Sequence, residues 1–570
     1  MKIRGCRTGL VSLAAFLLAA SVAGATTIHV TTTQDPDNGT GQCTAGGTCS
    51  LREAINAAHA DSSVTRVSVP AGTYKLTDGS GALAIVANIT LAGAGARHTI
   101  IQQTVTGAGV LGANATATIQ GLTITGGHST AGAGGGINNA GTLTLKNSTV
   151  TDNESDGYLD STCFTPPACP PPTPIAGLGG GIYSGGGSLT VIASTISGNV
   201  AAAGNDFGAG AGGGGIFSTS PVTVINSTIS GNAAQGRLGS VDGGGIYMGA
   251  DPQAQLALAN VTVAFNQATG NNPQGGNLYL VDAGNSHTAQ NSVIANGTAT
   301  AGSENCGGTT LLSEGYNLED RDECGLHGTG DKVNTPPKLG PLKNHGGFTD
   351  TRALLSGSPA INGGNLSGCK AGPAPIVTDQ RLVHRPQGAR CDIGAFEFRI
   401  VQERGVPFIT GKAQVGQRLR CVVPPIESPD GPARVTVLWL RNGLHVATGR
   451  LYTVRPSDAG HSLACRVVAT NSANSTTGNG GKVFVPARPS ITITSHSVSS
   501  RRHRATFKFT TQNATATQCA LAKGSAAPRY SSCVTPKTYT RLTKGSYTFF
   551  ARAVGPGGAS VPARHSFSIG

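Results

Sequence analysis

After residue 25 no stretch approaches the ~18 consecutive apolar residues that a membrane-crossing helix needs, so the sequence offers no such span. No cysteine stands near position 26 to take a lipid. No C-x-x-C pair occurs either, and the cysteine spacings fit no zinc pattern. Charge is sparse at 12%, and only four acidic residues, Glu403, Glu427, Asp430 and Asp458, follow position 399. Sparse charge combined with 84 Gly is compatible with disorder, so the deciding question is whether the glycines are periodic.

What is present begins with a secretory pattern. Lys2, Arg4 and Arg7 precede an apolar run from Leu10 to Ala20 and a small-residue cut site at Ala23-Gly-Ala25, so residues 1–25 are expected to be removed and the protein to be secreted or cell-surface associated. Twelve cysteines then remain, falling in neighbouring pairs: Cys43/Cys49, Cys163/Cys169, Cys306/Cys324, Cys369/Cys391, Cys421/Cys465 and Cys519/Cys533. An even count in an exported chain points to disulfides, with metal ligation as the alternative. Charge divides unevenly. Residues 26–399 hold 16 Lys and Arg against 24 Asp and Glu, a net of −8, whereas residues 400–570 hold 22 against 4, a net of +18. A block this basic attracts polyanions, which outside a cell are wall polymers, acidic polysaccharides or lipid head groups more often than nucleic acid.

The glycines are periodic. Gly134-Gly-Gly-Ile137, Gly179-Gly-Gly-Ile182, Gly213-Gly-Gly-Ile216 and Gly243-Gly-Gly-Ile246 open four similar units, and Gly275-Gly-Asn-Leu278 a degenerate fifth. In each unit two apolar residues follow two apart, as in Leu143/Leu145, Leu189/Val191, Val222/Val224 and Leu256/Leu258, which is strand alternation with one buried face. Leu143, Val191, Val224 and Leu258 are expected to align inside one continuous core. Leu145 and Val150 are out of phase, so the chain must turn near Asn147, a residue type that tolerates left-handed backbone and can form an amide ladder when stacked. The sequons at Asn147 and Asn226 read as such ladder positions, and a second column, Asn153, Asn199, Asn232 and Asn266, closes the unit. Ile-to-Ile steps of about 30 residues suit one coil of a right-handed parallel β-helix of the pectin-lyase-like kind and are too short for propeller blades.

Ser50-Leu-Arg-Glu53 is a capping box, and Leu51, Ala54, Ile55 and Ala58 share one side of a short helix expected to cover the first coil. Cys49-Ser-Leu-Arg-Glu-Ala-Ile55 resembles the motif of CSLREA-domain proteins. Gly357-Ser-Pro-Ala-Ile-Asn362, Asp379-Gln-Arg381, Arg385-Pro386 and Cys391-Asp-Ile-Gly-Ala-Phe-Glu397 resemble the end of bacterial β-helix regions of the choice-of-anchor Q type, and the Gly-Gly-Gly-Ile pattern is similar to that of polymorphic outer-membrane proteins. The resemblance covers residues 26–399 and implies an extracellular β-helix without a common reaction. Residues 404–486, with Cys421, Trp439, Asp458 and Cys465, resemble a bacterial immunoglobulin-like repeat, although Leu463 stands where a tyrosine corner would carry Tyr. Residues 487–570 are similar to fibronectin-III-like tails. The expected organisation is therefore an all-β chain: a signal at 1–25, a helix cap and first coils at 26–130, Gly-rich repeats at 131–335, a closing segment at 336–399, and sandwich modules at 400–486 and 487–570.

Catalysis on sugars needs paired carboxylates or carboxylate-held calcium beside a base. The outward strand positions Thr144, Lys146, Thr190, Ile192, Thr223, Ile225, Ala257 and Ala259 carry no acidic column. Two acidic clusters remain. Asp152, Glu154, Asp156 and Asp160 open an insertion running to Leu178, where Tyr158 and Phe164 are candidate glycan-stacking residues. Glu319-Asp-Arg-Asp-Glu323 lacks EF-hand spacing and reads as a structural or weak calcium-binding cluster, and no other cofactor is expected. His128, His287, His327 and His345 have no sequence-adjacent partner and read as surface or turn residues. The expected protein is a non-enzymatic monomer engaging a polysaccharide or anionic envelope polymer, not nucleic acid; the alternative is a polysaccharide lyase or glycoside hydrolase.

Overall fold

The computed structural model describes residues 26–37, 43, 47–160, 173–203, 210–300, 302–366 and 368–570. The expected signal, Cys163, Phe164 and Cys169 lie outside the described residues. From Thr26 to Glu319 the chain winds as a parallel β-helix. A ten-stranded sheet runs from Thr26–His29 to Leu312–Ser313, a nine-stranded sheet from Gly72–Leu76 to Leu318–Glu319, and an eight-stranded sheet from Leu83–Ile85 to Cys306–Gly308. A fourth, eight-stranded set starts at His128–Ser129 and includes the long strands Ala233–Asp242 and Gln267–Gln274.

The inward columns are apolar, but their register differs from the expected one. Leu145, Val191, Val224 and Leu258 pair in succession, while Leu143 lies in the neighbouring column with Leu189 and Val222. Both columns face inward, because alternate residues share a face, and all seven side chains are at most 2% exposed. The turn between sheets falls at Asn147, Ala193, Asn226 and Asn260, whose φ angles of 47–57° are left-handed.

The continuous amide ladder forms in the second Asn column, and the corner shows a single amide step, Asn291 Nδ2 donating to Asn260 Oδ1 at 2.8 Å. Asn153, Asn199, Asn232, Asn266 and Asn277 each donate Nδ2–H to the Oδ1 of the next member, ending at Asn305, at 2.9 Å, and Asn305 closes the series by donating to Asp320 Oδ1 at 2.8 Å. Asn199, Asn232 and Asn266 also donate to the main-chain carbonyls of Val150, Ile196 and Ile229, so buried amide groups find partners inside the stack. The corner Asn226 and Asn260 instead donate to carbonyls of the closing segment. The Gly-Gly-Gly triplets are needed for close approach: a Cβ on Gly180 or Gly214 would meet main-chain oxygen at 2.2 or 2.3 Å.

The open end of the first coil is covered by the helix Leu51–Ala60. Ser50 caps it reciprocally with Glu53, and Leu51, Ala54, Ile55 and Ala58 are buried against the coil. Arg52 is buried too, held by Asp35 at 3.0 Å.

Residues 336–399 wind no further coil among the described residues. They form the hairpins Leu339–Lys343/Thr351–Leu354 and Lys370–Ala371/Ala374–Pro375 and double back along the Asn corner. Asn226 Nδ2 donates to Thr378 O at 2.7 Å, Asn260 Nδ2 to Lys370 O at 2.8 Å, and Thr228 Oγ1 lies 2.7 Å from Gln380 Oε1. The segment is thus a strap fastened across several coils.

Two antiparallel sandwiches follow. In the first, Cys421 and Cys465 join a three-stranded to a four-stranded sheet, and Trp439 is buried with them, stacked on Tyr452 at 5.3 Å. The polar anchor that Leu463 cannot supply comes from Tyr452, whose hydroxyl donates to buried Asp458 at 2.8 Å. The second module packs Phe507 on Phe549 at 4.0 Å and carries the Cys519–Cys533 disulfide. With Cys43–Cys49, Cys306–Cys324 and Cys369–Cys391, five disulfides are formed among the described residues.

Candidate functional site

The coil stack brings together residues that are distant in sequence. His128–Ser129 pairs in parallel with Glu154–Asp156, setting His128 beside Glu154, and His128 Nε2 lies 2.6 Å from Asp156 Oδ2. Ligand-type atoms of His128, Glu154 and Asp156 all lie within 4.8 Å of one another, the one such three-residue group among the described residues. Glu154 and Asp156 share the outward face of their strand, with Ser155 buried between them. The hydrogen bond that the ring N–H donates to Asp156 raises the His128 pKa, while burial and then the nearby Asp156 charge raise that of Glu154. The trio can therefore hold a proton between imidazole and carboxylates, or offer one nitrogen and two carboxylates to a divalent cation.

The other predicted members stand apart. Asp152 occupies a left-handed corner with φ 53° and does not join the trio. Tyr158 is 39% exposed at the start of the hairpin Tyr158–Asp160/Thr173–Ile175, while the Asp160 side chain and all of Phe164 lie outside the described residues. His128 was missed because its partners are 26 and 28 residues away. The signal lay in aligning Thr123-Ile-Thr125 with Thr149-Val-Thr151, the same 26-residue step that the strand pairing shows.

A second feature absent from the sequence reading is an outward column of stacked rings, Tyr183, Phe217, Tyr247 and Tyr279, with centroids 5.5, 4.9 and 5.1 Å apart. The rings spend their faces on one another, so the column stiffens the stack and offers no broad platform to a sugar. Beside it Asp242 is buried, and burial pushes its pKa up to about 6 even though Gln274 N–H donates to it at 3.2 Å. In the unfolded chain this carboxyl ionises near pH 4. Between about pH 4 and 6 the folded form therefore binds more protons, and stability should fall as pH rises through that window. Asp242→Asn should thus melt higher than wild type at pH 7.5, by on the order of 1 kcal/mol, and the two should converge below pH 4. A gap that persisted at pH 3.5 would show that packing, not ionisation, separates them.

The remaining acidic groups are structural acceptors. Glu319 is buried and accepts from the N–H groups of Glu323 and Cys324, Glu323 accepts from Asn305 N–H at 2.7 Å, and Asp320 ends the Asn ladder. In the strap, Asp392 and Glu397 are buried side by side. Burial and then the Glu397 charge raise the Asp392 pKa; burial also raises that of Glu397, with the Arg385 charge opposing. Their oxygens take main-chain N–H groups of Asn362, Phe398, Gln387 and Asp392, so they face no solvent and no substrate.

The basic modules present the opposite picture. Of the 22 Lys and Arg in residues 400–570, 18 are exposed. The four acids offset little: Glu427 pairs with Arg404 at 2.8 Å, while Asp430 and Asp458 are buried against Arg399 and Arg441. Burial alone would raise the Asp430 pKa, but the Arg399 hydrogen bond and the Arg381 charge hold it below the ordinary value.

No family model matches the chain. No curated protein matches it. Many solved structures share similarity with part of it, and two show its extent. One is a two-domain fibronectin type III segment from chicken tenascin, 14% identical over 29% of this chain and 99% of that one, with a TM-score of 0.15. The other comprises three N-terminal domains of the highly immunogenic outer capsid protein of bacteriophage RB49, 14% identical over 29% of this chain and 58% of that one, with a TM-score of 0.18. At such scores neither carries an argument about this chain.

Proposed function

We propose that this is an exported, non-catalytic β-helix protein of the CSLREA and choice-of-anchor type, held at a cell surface or matrix by its two basic sandwich modules, which engage an acidic polysaccharide or other anionic envelope polymer. The observation that carries the reading is the 18 exposed, mostly unpaired cations of residues 400–570, set against a β-helix segment of net −8. Exposed charges are screened beyond ~8 Å at physiological ionic strength, so such attachment weakens sharply with salt. The mature protein should bind a polygalacturonate gel at low ionic strength, elute with NaCl, and release neither unsaturated nor new reducing ends from the polymer. Binding that resists salt, or none at all, would sink the reading.

One observation favours a second reading, a polysaccharide lyase or glycoside hydrolase: the His128, Glu154 and Asp156 trio. Release of sugar ends that vanishes in Glu154→Ala and Asp156→Ala would establish it in place of the first.

A further inference from the structure

The exposed cations are not spread evenly over the last module. Its strands Ser490–Ser499 and Arg504–Gln512 are joined by a turn carrying Arg501 and Arg502, with His503 in left-handed backbone at φ 49°. Strand Lys537–Tyr539 pairs with the second of these, Ala505 opposite Tyr539, and leads into a loop bearing Arg541, also left-handed at φ 59°, and Lys544. The two loops are fastened together: Leu542 N–H donates to His503 O at 3.0 Å, and His503 Nδ1 lies 2.8 Å from Leu542 O. Leu542 turns inward and is buried, which leaves Arg541 and Lys544 outward beside Arg501, Arg502 and Arg504, all exposed. Lys523 joins the rim through Thr543 Oγ1 at 2.7 Å. No Asp or Glu occurs after Asp458, so no acidic side chain of the module offsets these cations, and Gly570 N–H donates to Ser500 Oγ at 3.1 Å at the foot of the turn.

We infer that this tip, where the 500–504 turn is hydrogen-bonded to the 540–544 loop, is the site that grips an acidic polysaccharide, the guanidinium groups of Arg501, Arg502, Arg504 and Arg541 engaging successive carboxylates of the polymer. This rests on the attachment reading above and localises it. Arginine suits the task because its planar fork takes a carboxylate through two parallel hydrogen bonds and is weakly hydrated. Two other polyanion classes fit less well. Single-stranded nucleic acid binds on stacking platforms, and lipid surfaces admit exposed apolar side chains. The large exposed apolar side chains of this module among the described residues are Val534 and Val561, and neither lies on the two tip loops.

The test uses the mature protein in two variants of equal charge loss. One replaces Arg501, Arg502, Arg504, Arg541 and Lys544 with Gln; the other replaces Lys412, Arg418, Arg420, Arg434 and Arg450 of the preceding module, all likewise exposed. Binding to polygalacturonate, single-stranded DNA and anionic phosphatidylglycerol vesicles is measured at 50 mM and 150 mM NaCl, with thermal melting to verify folding. The tip variant should lose at least 20-fold in polygalacturonate affinity and the other variant less than threefold, with wild type binding polygalacturonate tighter than DNA or vesicles. Equal losses in the two variants would overturn the tip as a site while leaving electrostatic attachment standing. Tighter wild-type binding to DNA or vesicles would overturn the partner class. Absence of any polygalacturonate binding by wild type would overturn the underlying reading with it.

Discussion

Val224→Asp should prevent the β-helix from forming a stable stack. Val224 is 0% exposed and sits between Val191 and Leu258 in the inward column, where each coil buries its face against its neighbours alone. A carboxylate there meets apolar side chains above and below and no cation, so an uncompensated buried charge of this kind costs about 3–5 kcal/mol. Because coils stabilise one another, the loss propagates along the stack instead of staying local. Far-ultraviolet circular dichroism should show the β-helix transition of the variant at least 10 °C lower, or missing. A variant that melts like wild type would place Val224 outside the core and the register in error.

Asp379→Ala should release the strap. The Asp379 carboxylate accepts the N–H groups of Arg381 and Val383 and that of Glu397, at 2.8, 2.9 and 2.9 Å, and pairs with the Arg381 guanidinium at 2.7 Å, both side chains being at most 1% exposed. Arg381 in turn lies 3.4 Å over the Phe396 ring at the strap's far end and 3.6 Å from Asp430 of the first sandwich, so one pair joins two parts of the strap to the module. Removing the acid strands a buried cation and three main-chain donors, at a cost of about 3–5 kcal/mol. Limited proteolysis should then cut between residues 336 and 399 while the coils before Glu319 stay protected. Unchanged protection of the strap would show that its hydrogen bonds to Asn226 and Asn260 suffice to hold it.

The parts of this architecture that could be read from the sequence are those built by repetition. The Gly-Gly-Gly-Ile openings, the two-residue alternation and the out-of-phase Val150 require a coil with a corner near Asn147, and Ser50 with Glu53 announces the capping helix through a local rule. What could not be read depends on which coil lies next to which. The expected alignment of Leu143 with Val191 fails because the sequence does not say where a coil's strand starts, and the strand ladder pairs Leu145 with Val191. The amide ladder belongs to the Asn153 column because that column faces inward, where an unpaired amide is costly and the next coil's Asn is the nearest partner, while the corner amides of Asn226 and Asn260 are taken by strap carbonyls that the sequence does not place there. The strap had no periodicity to betray it: Asp379, Arg381, Arg385, Asp392 and Glu397 stand out in the sequence through motif resemblance alone, which does not place them, and they prove to be buried. His128 became visible as a partner of Asp156 only once the coil length was fixed.

The central claim is that attachment resides in the basic modules and is electrostatic, and cleavage near residue 400 tests it most directly. Each sandwich has its own hydrophobic core and its own disulfide, and circular dichroism of the separated residues 400–570 verifies that they stay folded without Arg381 and Arg399. Applied to a polygalacturonate gel at low ionic strength, residues 400–570 should be retained and then eluted by NaCl, while residues 26–399, net −8, should flow through. Equal retention of the two halves, or retention of the basic half that salt does not reverse, would contradict the account.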